Sequence, residues 1–158
     1  MACAEGENSG KKRKVVLASG VFDLLHLGHV RYLEEAKKAG GENAKLIVIV
    51  ARDSTVEKRK GYRPVIPENQ RRALVESLKV VDEAVLGYEE FDIGKVIEKI
   101  KPDVIAVGHD QDGMEKAVKD YIRDKGLKIK AVRIGKFSED ELDSSSKIRQ
   151  KIIEHYKR

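Results

Sequence analysis

Short apolar runs rich in valine and isoleucine alternate along the chain with longer stretches in which charged and apolar residues recur at helical spacing. The short runs predict five strands, at residues 15–18, 46–51, 84–86, 104–107 and 129–132. The second and fourth runs carry apolar residues on both faces, which is typical of strands buried on both sides of a parallel sheet.

The longer, amphipathic stretches predict five helices, at residues 30–39, 68–79, 93–100, 114–125 and 144–156. Strands and helices therefore alternate, and short β-α units of this kind force a parallel sheet with helices on both faces. Because such crossovers are right-handed, the pattern predicts an α/β fold with a Rossmann-like, doubly wound sheet in a single domain. Ligands bind at the carboxyl ends of the strands in these sheets, so chemistry is expected in the loops after residues 18, 51, 107 and 132.

The chain has 158 residues and one cysteine, which fits one domain whose core needs no disulfide. Residues 1–13 are polar and end in three basic residues, so we expect them to form a disordered tail or a vector-derived remnant, with the folded domain at residues 14–158. The longest apolar run, at residues 46–51, is far too short for a membrane span. These features predict a cytoplasmic protein without a membrane partner.

The formal charge of +5 is concentrated in two clusters. Residues 57–72 hold six basic and two acidic side chains, and residues 147–158 hold five basic and one acidic. A local excess of this kind favours an anion site over a surface that binds nucleic acid along its whole length. A non-catalytic module that binds nucleotides or RNA through the two clusters stays open as an alternative.

The loop after the first strand contains His26-Leu27-Gly28-His29 close to the expected start of the first helix. The glycines of this loop are too far apart for a dinucleotide-binding GxGxxG turn, and no Walker lysine follows them. A glycine between two imidazoles, beside the free N–H groups of a helix N-terminus, is instead suited to a polyphosphate. Two histidine ligands of a helical metal site usually stand four residues apart with an acid between them, so we expect no direct protein ligand to a metal.

Residues 20–29 are similar to the G-T-F-D-x-x-H-x-G-H signature of the cytidylyltransferase-like nucleotidyltransferases, with Val21 in place of the usual threonine. The resemblance covers nearly the whole predicted domain and continues through residues 51–53, 67–72, 80–83, 108–110 and 144–148. Residues 51–56 and 108–111 resemble the archaeal FAD synthetases more closely than the glycerol-3-phosphate cytidylyltransferases. The latter carry R-T-E-G-I-S-T-T where this chain has Arg-Ile-Gly at 133–135 and then a longer, acidic loop.

This resemblance implies the nucleotidyltransferase type of Rossmann-like fold and an ATP:FMN adenylyltransferase. In that reaction the FMN phosphate attacks the α-phosphorus of ATP and releases pyrophosphate. The resemblance also implies Mg²⁺ or another divalent cation, which balances the charge of the triphosphate, and a homodimer. Another nucleotidyl transfer on the same scaffold, such as CTP with glycerol 3-phosphate or ATP with phosphopantetheine, stays open.

By resemblance, His26, His29 and Lys58 are the expected catalytic residues, and Lys60 is the alternative to Lys58. The residues expected to bind ATP lie in the loops at the strand ends and at the starts of helices. They are Gly20, Val21, Phe22, His26, Leu27, Gly28, His29, Arg71, Asp110, Arg133, Ser144, Ser145 and Ser146.

Asp23 and Phe137 are expected to contact FMN, Phe137 because it is the only aromatic residue of the lengthened loop. Phe137 has a structural alternative as a hydrophobic latch between that loop and the core. Asp110 has one as a turn residue that caps the next helix. The serines at 144–146 resemble an N-cap, which is compatible with phosphate binding because a capped helix start is itself an anion site.

Overall fold

The computed structural model describes residues 12–137 and 142–157. The predicted tail as far as residue 11, and residues 138–141 of the lengthened loop, lie outside the described residues. The described part contains the strands β1 Val15–Gly20, β2 Lys45–Val50, β3 Glu83–Leu86, β4 Val104–Val107 and β5 Lys130–Arg133. It also contains the helices α1 Leu27–Ala39, α2 Asp53–Lys60, α3 Glu68–Glu76, α4 Ile93–Ile100, α5 Asp112–Lys125 and α6 Ser145–Tyr156. None of these helices is long and apolar enough to cross a lipid bilayer.

The five strands form one parallel sheet in the order β3-β2-β1-β4-β5, which confirms the predicted doubly wound α/β fold. Strand β1 pairs with β2 along six residues, but it pairs with β4 only at Val16–Val104 and Leu17–Ile105. The carboxyl-terminal halves of β1 and β4 therefore separate at the point where the strand order reverses. This opening is the crevice in which ligands bind in such folds.

Apolar side chains cover both faces of the sheet. One core cluster joins the sheet to α1 and α3 through residues such as Leu33, Ala36 and Val75. The other joins the sheet to α4 and α5 through residues such as Val96 and Val118. Strands β2 and β4 contribute alternate residues to both clusters, which explains why their sequences are apolar without interruption.

Helix α2 is the main element that the hydrophobic pattern did not predict. Val56 is its one buried residue, and the other positions are polar or charged, so no helical periodicity marks it. Gly61 ends the helix in the left-handed conformation, with φ +80°, and its N–H donates to the Glu57 carbonyl at 2.8 Å. Because α2 exists, the basic residues at its end are held near the carboxyl edge of the sheet.

Candidate active site

A cavity of about 510 Å³ opens at the carboxyl ends of the strands, where the sequence predicts the ligand site. Its walls come from the loop after β1, the end of α2, the loop after β3, the turn after β4 and the start of α6. Residues of β1 and β4 on either side of the crevice line it as well. Segments from most of the chain thus line the same cavity.

The two histidines of the β1 loop both line this cavity. His26 is the extended N-cap residue of α1, and the centroids of the His26 and His29 rings are 3.8 Å apart. The His26 backbone N–H donates to Nδ1 of His29 at 3.1 Å, so the proton of the neutral His29 ring is on Nε2. A Cβ at Gly28 would lie 2.8 Å from the His26 ring, which explains why a glycine stands between them.

Burial keeps both imidazoles neutral. Burial, reinforced by the neighbouring His26, lowers the pKa of His29 to about 4, although the charges of Asp110 and Asp23 act in the opposite direction. Burial also lowers the pKa of His26 below its usual value, opposed by Asp143. Near pH 7 the rings therefore offer N–H donors to phosphate oxygens rather than fixed positive charges.

The aromatic ring of Phe22 packs near the His29 ring. Its backbone is left-handed, with φ +57°, and its ring centroid lies 5.3 Å from that of His29. A Cβ at Gly20 would lie 2.9 Å from the Phe22 ring. Gly20, Val21 and Phe22 all line the cavity. The left-handed backbone at Phe22 therefore places an aromatic ring between the strand end and the histidine loop.

The serines at the start of α6 form the wall beside the histidine loop. Ser144 is the N-cap, and its Oγ accepts from the Lys147 N–H at 3.2 Å, as the N-cap interpretation predicts. Ser145 donates from Oγ to the Leu24 carbonyl at 3.0 Å, which fastens α6 to the histidine loop. Ser144, Ser145 and Ser146 all line the cavity, and the free N–H groups of the first turn add an anion site there.

The cations at the cavity differ from those expected. Among the described residues, Arg59 and Lys60 of α2 line the cavity, whereas Lys58 does not, which favours the alternative Lys60 and leaves the catalytic role of either lysine a prediction. Arg149 of α6 also lines it and was missed. Its guanidinium lies 5.6 Å from the ring centroid of Tyr62, so the two basic clusters meet at this edge of the cavity. The spacing of Arg149 from the serines, three and four residues along a helix, is the signal that could have found it.

We expect Lys60→Ala to raise the KM for ATP about tenfold, because the variant loses a charge-assisted contact to phosphate. Lys58→Ala is the matched control, with the same charge removed from the same helix, and we expect less than about a twofold change in KM. Initial rates of pyrophosphate release at varied ATP concentration measure both variants. A larger rise in the KM for ATP in Lys58→Ala than in Lys60→Ala would instead indicate that Lys58 contacts ATP.

Arg71 does not face the cavity, contrary to the expectation that it binds ATP. Its side chain is fully buried, with 0% exposure. Its guanidinium donates to the carbonyls of Val21, Ala51 and Ile66 at 2.8 Å each and to Oδ1 of Asp53 at 2.7 Å. All three nitrogens of the guanidinium therefore donate to groups inside the protein. These hydrogen bonds connect the loops after β1 and β2 to the start of α3.

Three further residues expected to contact a ligand have surroundings that the sequence did not predict. Arg133 pairs on the surface with Asp112 at 2.6 Å and Glu115 at 2.8 Å, and within the described residues neither it nor Leu27 lines the cavity. Asp23 lines the cavity wall, but its carboxylate accepts from the backbone N–H groups of Val65 and Ile66 at 2.8 and 3.0 Å. The sequence cannot distinguish a residue that anchors a loop from one that binds a ligand, because both are polar and adjacent to a motif.

Asp110 lies where the sequence predicts, in the turn after β4. It is exposed and lines the cavity, and it does not cap α5, because Gln111 is the N-cap residue of that helix. Gln111 accepts from the Gly108 N–H at 2.9 Å, which closes the turn. Asp110 is therefore free to face a ligand.

The far end of the cavity is apolar and aromatic and extends under α4 and α5. We call this end the apolar chamber; its residues are Leu17, Ile49, Tyr88, Phe91, Ile93, Val96, Ile105, Met114 and Val118. Tyr88 and Phe91 come from the loop after β3 and were not predicted. That loop is held by α2 and its N-cap, since Arg52 Nε donates to the Gly87 carbonyl at 2.7 Å and Thr55 Oγ donates to the Glu89 carbonyl at 3.2 Å.

Phe137 also lines the cavity, but it packs against the core cluster on the α1 face, whereas the apolar chamber lies on the α4 and α5 face. The geometry supports the latch alternative and leaves contact with FMN as a prediction. The sequence does not mark Tyr88 and Phe91 of the apolar chamber, because no motif precedes them.

A family model described as cytidylyltransferase-like matches residues 17–151. The chain belongs to the cytidylyltransferase-like family. The resemblance of residues 20–29 to that family is thereby confirmed, and so is the nucleotidyltransferase type of Rossmann-like fold.

Two curated relatives of this cytidylyltransferase-like chain are described as FAD synthase. The relative from Methanobrevibacter smithii is 53% identical over 139 residues, which is 88% of this chain and 90% of the relative. The relative from Methanothermus fervidus is 52% identical over 136 residues, which is 86% of this chain and 92% of the relative.

Solved structures agree on the fold. A protein from Thermoplasma volcanium, described as a lipopolysaccharide core biosynthesis protein, is 46% identical with a TM-score of 0.72, and the match covers 80% of this chain and 100% of that one. Pantothenate synthetase from Thermus thermophilus is 18% identical with a TM-score of 0.61, covering 87% of this chain and 62% of that one, and shares the fold alone.

Proposed function

We propose that this protein is an FMN adenylyltransferase, an FAD synthase that transfers the adenylyl group of ATP to FMN. The observation that carries the proposal is a cavity with two unlike ends. One part of its lining holds neutral histidine donors, a helix N-terminus and four cationic side chains, those of Arg59, Lys60, Lys136 and Arg149, and another part is the apolar chamber. The names of the relatives at about 50% identity support the same activity.

In the proposed reaction an oxygen of the FMN phosphate forms a bond to the α-phosphorus of ATP. The bond from that phosphorus to the bridging oxygen of the β-phosphate breaks, and pyrophosphate leaves with the electron pair. A phosphate monoester is largely ionised near neutral pH, with a second pKa of about 6, so the attack needs no general base. The protein therefore has to position the two phosphates and stabilise the charge that moves to the leaving group.

The polar end of the cavity fits the triphosphate. We propose that the Nε2–H of His29 and the ring of His26 donate to the phosphate oxygens near the bond that breaks. Lys60 and Arg149, from the two basic clusters that meet at one edge of the cavity, balance charge, and the first turn of α6 binds the terminal phosphates. Because these donors are already in place, they need little rearrangement as the leaving group gains charge.

The apolar chamber fits a large, flat ring. We propose that the isoalloxazine ring of FMN enters it, with Tyr88 and Phe91 against the ring and the ribityl phosphate directed toward His29. Tyr88 and Phe91 keep 41% and 56% of their surface exposed, which leaves apolar area for a ligand to cover. A small polar acceptor such as glycerol 3-phosphate would leave this surface uncovered.

Mg²⁺ or another divalent cation belongs to this proposal as a companion of ATP. Within the described residues, no three His, Cys, Asp or Glu side chains form a group that would hold a metal. The exposed carboxylate of Asp110 fits a cation that would keep water and phosphate oxygens as most of its ligands. Such an ion would supply charge neutralisation at the leaving pyrophosphate.

The homodimer and the cytoplasmic location stay predictions.

The decisive experiment is to incubate the protein with Mg²⁺, FMN and ATP, CTP or GTP in turn, and to follow FAD by chromatography and pyrophosphate by a coupled assay. We expect equal amounts of FAD and pyrophosphate, with ATP preferred. Parallel reactions offer glycerol 3-phosphate, phosphopantetheine and a sugar phosphate. Pyrophosphate release with one of these acceptors and none with FMN would reject the proposal, and salt-sensitive RNA binding without any pyrophosphate would favour the non-catalytic module.

Phe91→Ala is expected to raise the KM for FMN by about tenfold and to leave the KM for ATP within about twofold, because the lost contact area faces only the acceptor. Phe137→Ala tests the alternative placement of the flavin at the lengthened loop. Initial rates at varied FMN, with ATP saturating, compare the two variants. A larger effect of Phe137→Ala on the KM for FMN would move the ring to that loop.

A further inference from the structure

In the crevice between β1 and β4, backbone carbonyls lack the hydrogen bonds that a neighbouring strand would supply. The two strands pair only at Val16–Val104 and Leu17–Ile105, and each continues beyond those residues toward the cavity. The carbonyls of Ser19 and Ala106 lie in this separated part. Buried carbonyls need a hydrogen-bond donor, because leaving one unpaired costs about 1–3 kcal/mol.

Two side chains supply those donors from opposite sides of the crevice. The Tyr32 hydroxyl lies 3.4 Å from the Ser19 carbonyl oxygen and 3.3 Å from that of Ala106, so it spans both strands. The Gln111 amide donates from Nε2 to the same Ser19 carbonyl at 3.3 Å, and its Oε1 accepts from the Gly108 N–H at 2.9 Å. Tyr32 and Gln111 thus replace the missing rungs of the sheet with side-chain bonds.

Each of these residues also belongs to an element that carries part of the active site. Tyr32 lies three residues after His29 on α1, so the two side chains share one face of the helix, and both line the cavity. Gln111 closes the turn that presents Asp110. Burial raises the pKa of Tyr32, so its hydroxyl stays protonated and able to donate near neutral pH.

We propose that Tyr32 and Gln111 are positioning residues that set the width of the crevice, and with it the distance between the His29 loop on β1 and the Asp110 turn on β4. Neither side chain touches the reacting atoms. They act by holding the two edges of the nucleotide site at one separation, and a displacement of about 1 Å in such a site can cost about 100-fold in rate. The proposal rests on the proposed function for the identity of the nucleotide reaction.

Tyr32→Phe and Gln111→Leu test the proposal, since each keeps the shape of the side chain and removes its hydrogen bonds. We expect each single variant to lower kcat by about tenfold and to change the KM for ATP by less than about threefold, because binding groups remain while their alignment is lost. Tyr121→Phe is the matched control: it removes the same hydroxyl from a tyrosine of α5 that is not among the described cavity residues. We expect its kcat to stay at the wild-type value.

The double variant separates positioning from general loosening of the fold. Because Tyr32 and Gln111 share the Ser19 carbonyl, we expect the double variant to lose clearly less than the product of the two single losses. Values of kcat within about twofold of wild type for both single variants, or a multiplicative loss in the double variant, would overturn the proposal. Rates are measured as pyrophosphate release with whichever acceptor the wild type uses, at a temperature where circular dichroism shows every variant folded. A wild type inactive with FMN therefore counts against the proposed function alone.

Discussion

Replacing His29 by alanine is expected to lower the rate of FAD formation by about 100-fold or more, while the fold survives. The physical reason is the position of its Nε2–H, which is fixed because Nδ1 accepts from the His26 backbone at 3.1 Å and the ring stands against Phe22. A water molecule in the vacated space would be a poorer donor, since it would have to reorient as charge develops. FAD production under saturating ATP and FMN measures the effect.

His155→Ala is the control for this experiment, because His155 is exposed near the end of α6 and does not line the cavity in the described part of the chain. Its rate should equal that of the wild type. Near-normal turnover of His29→Ala would refute the assignment of His29. The same outcome would leave the helix N-terminus of α6 as the main phosphate site.

The pH dependence of stability gives an independent check on the environment of His29. The unfolded chain takes up the His29 proton below about pH 6.5, whereas the folded chain, with the pKa lowered to about 4, does not. Stability from this residue is therefore present above pH 6.5 and is lost as the pH falls toward 4, by about 3 kcal/mol in all. Chemical denaturation of the wild type should show this loss, and His29→Ala should lack it.

Replacing Arg71 by methionine is expected to lower the free energy of unfolding by about 3–5 kcal/mol, because it leaves the partners of a fully buried guanidinium unpaired. Those partners are the Asp53 carboxylate and three backbone carbonyls. Methionine fills much of the space, so the loss reports the hydrogen bonds and the charge more than a cavity. Urea denaturation followed by circular dichroism measures it.

Arg31→Met provides the comparison on the surface. Arg31 pairs with Glu34 at 3.1 Å, but half of its side chain is exposed, and we expect a loss of no more than about 1 kcal/mol. If Arg71 instead bound ATP directly, Arg71→Met would keep nearly wild-type stability and raise the KM for ATP. That result would contradict the buried position.

The fold and the centre of the site were predictable because their signals are local. Alternation of apolar runs and amphipathic stretches requires a parallel sheet, and the contiguous segment from His26 to His29 brings its own geometry, since a glycine and a helix start accompany the two rings. The serines at 144–146 were predictable for the same reason, because an N-cap is read from adjacent residues. Helix α2 was not, since Val56 alone packs against the core and leaves no periodic pattern.

The sequence by itself determined the fold class, the edge of the sheet at which the cavity opens and the candidate phosphate site made of His26, His29 and a serine-capped helix. Only the tertiary structure decided that Lys60 rather than Lys58 lines the cavity, that Arg71 is buried and links two loops to α3, and that an apolar chamber belongs to the same cavity as the two histidines. The reason is that the rotation of a helix about its axis and the burial of a charge depend on distant partners. Neighbouring residues in the chain do not carry that information.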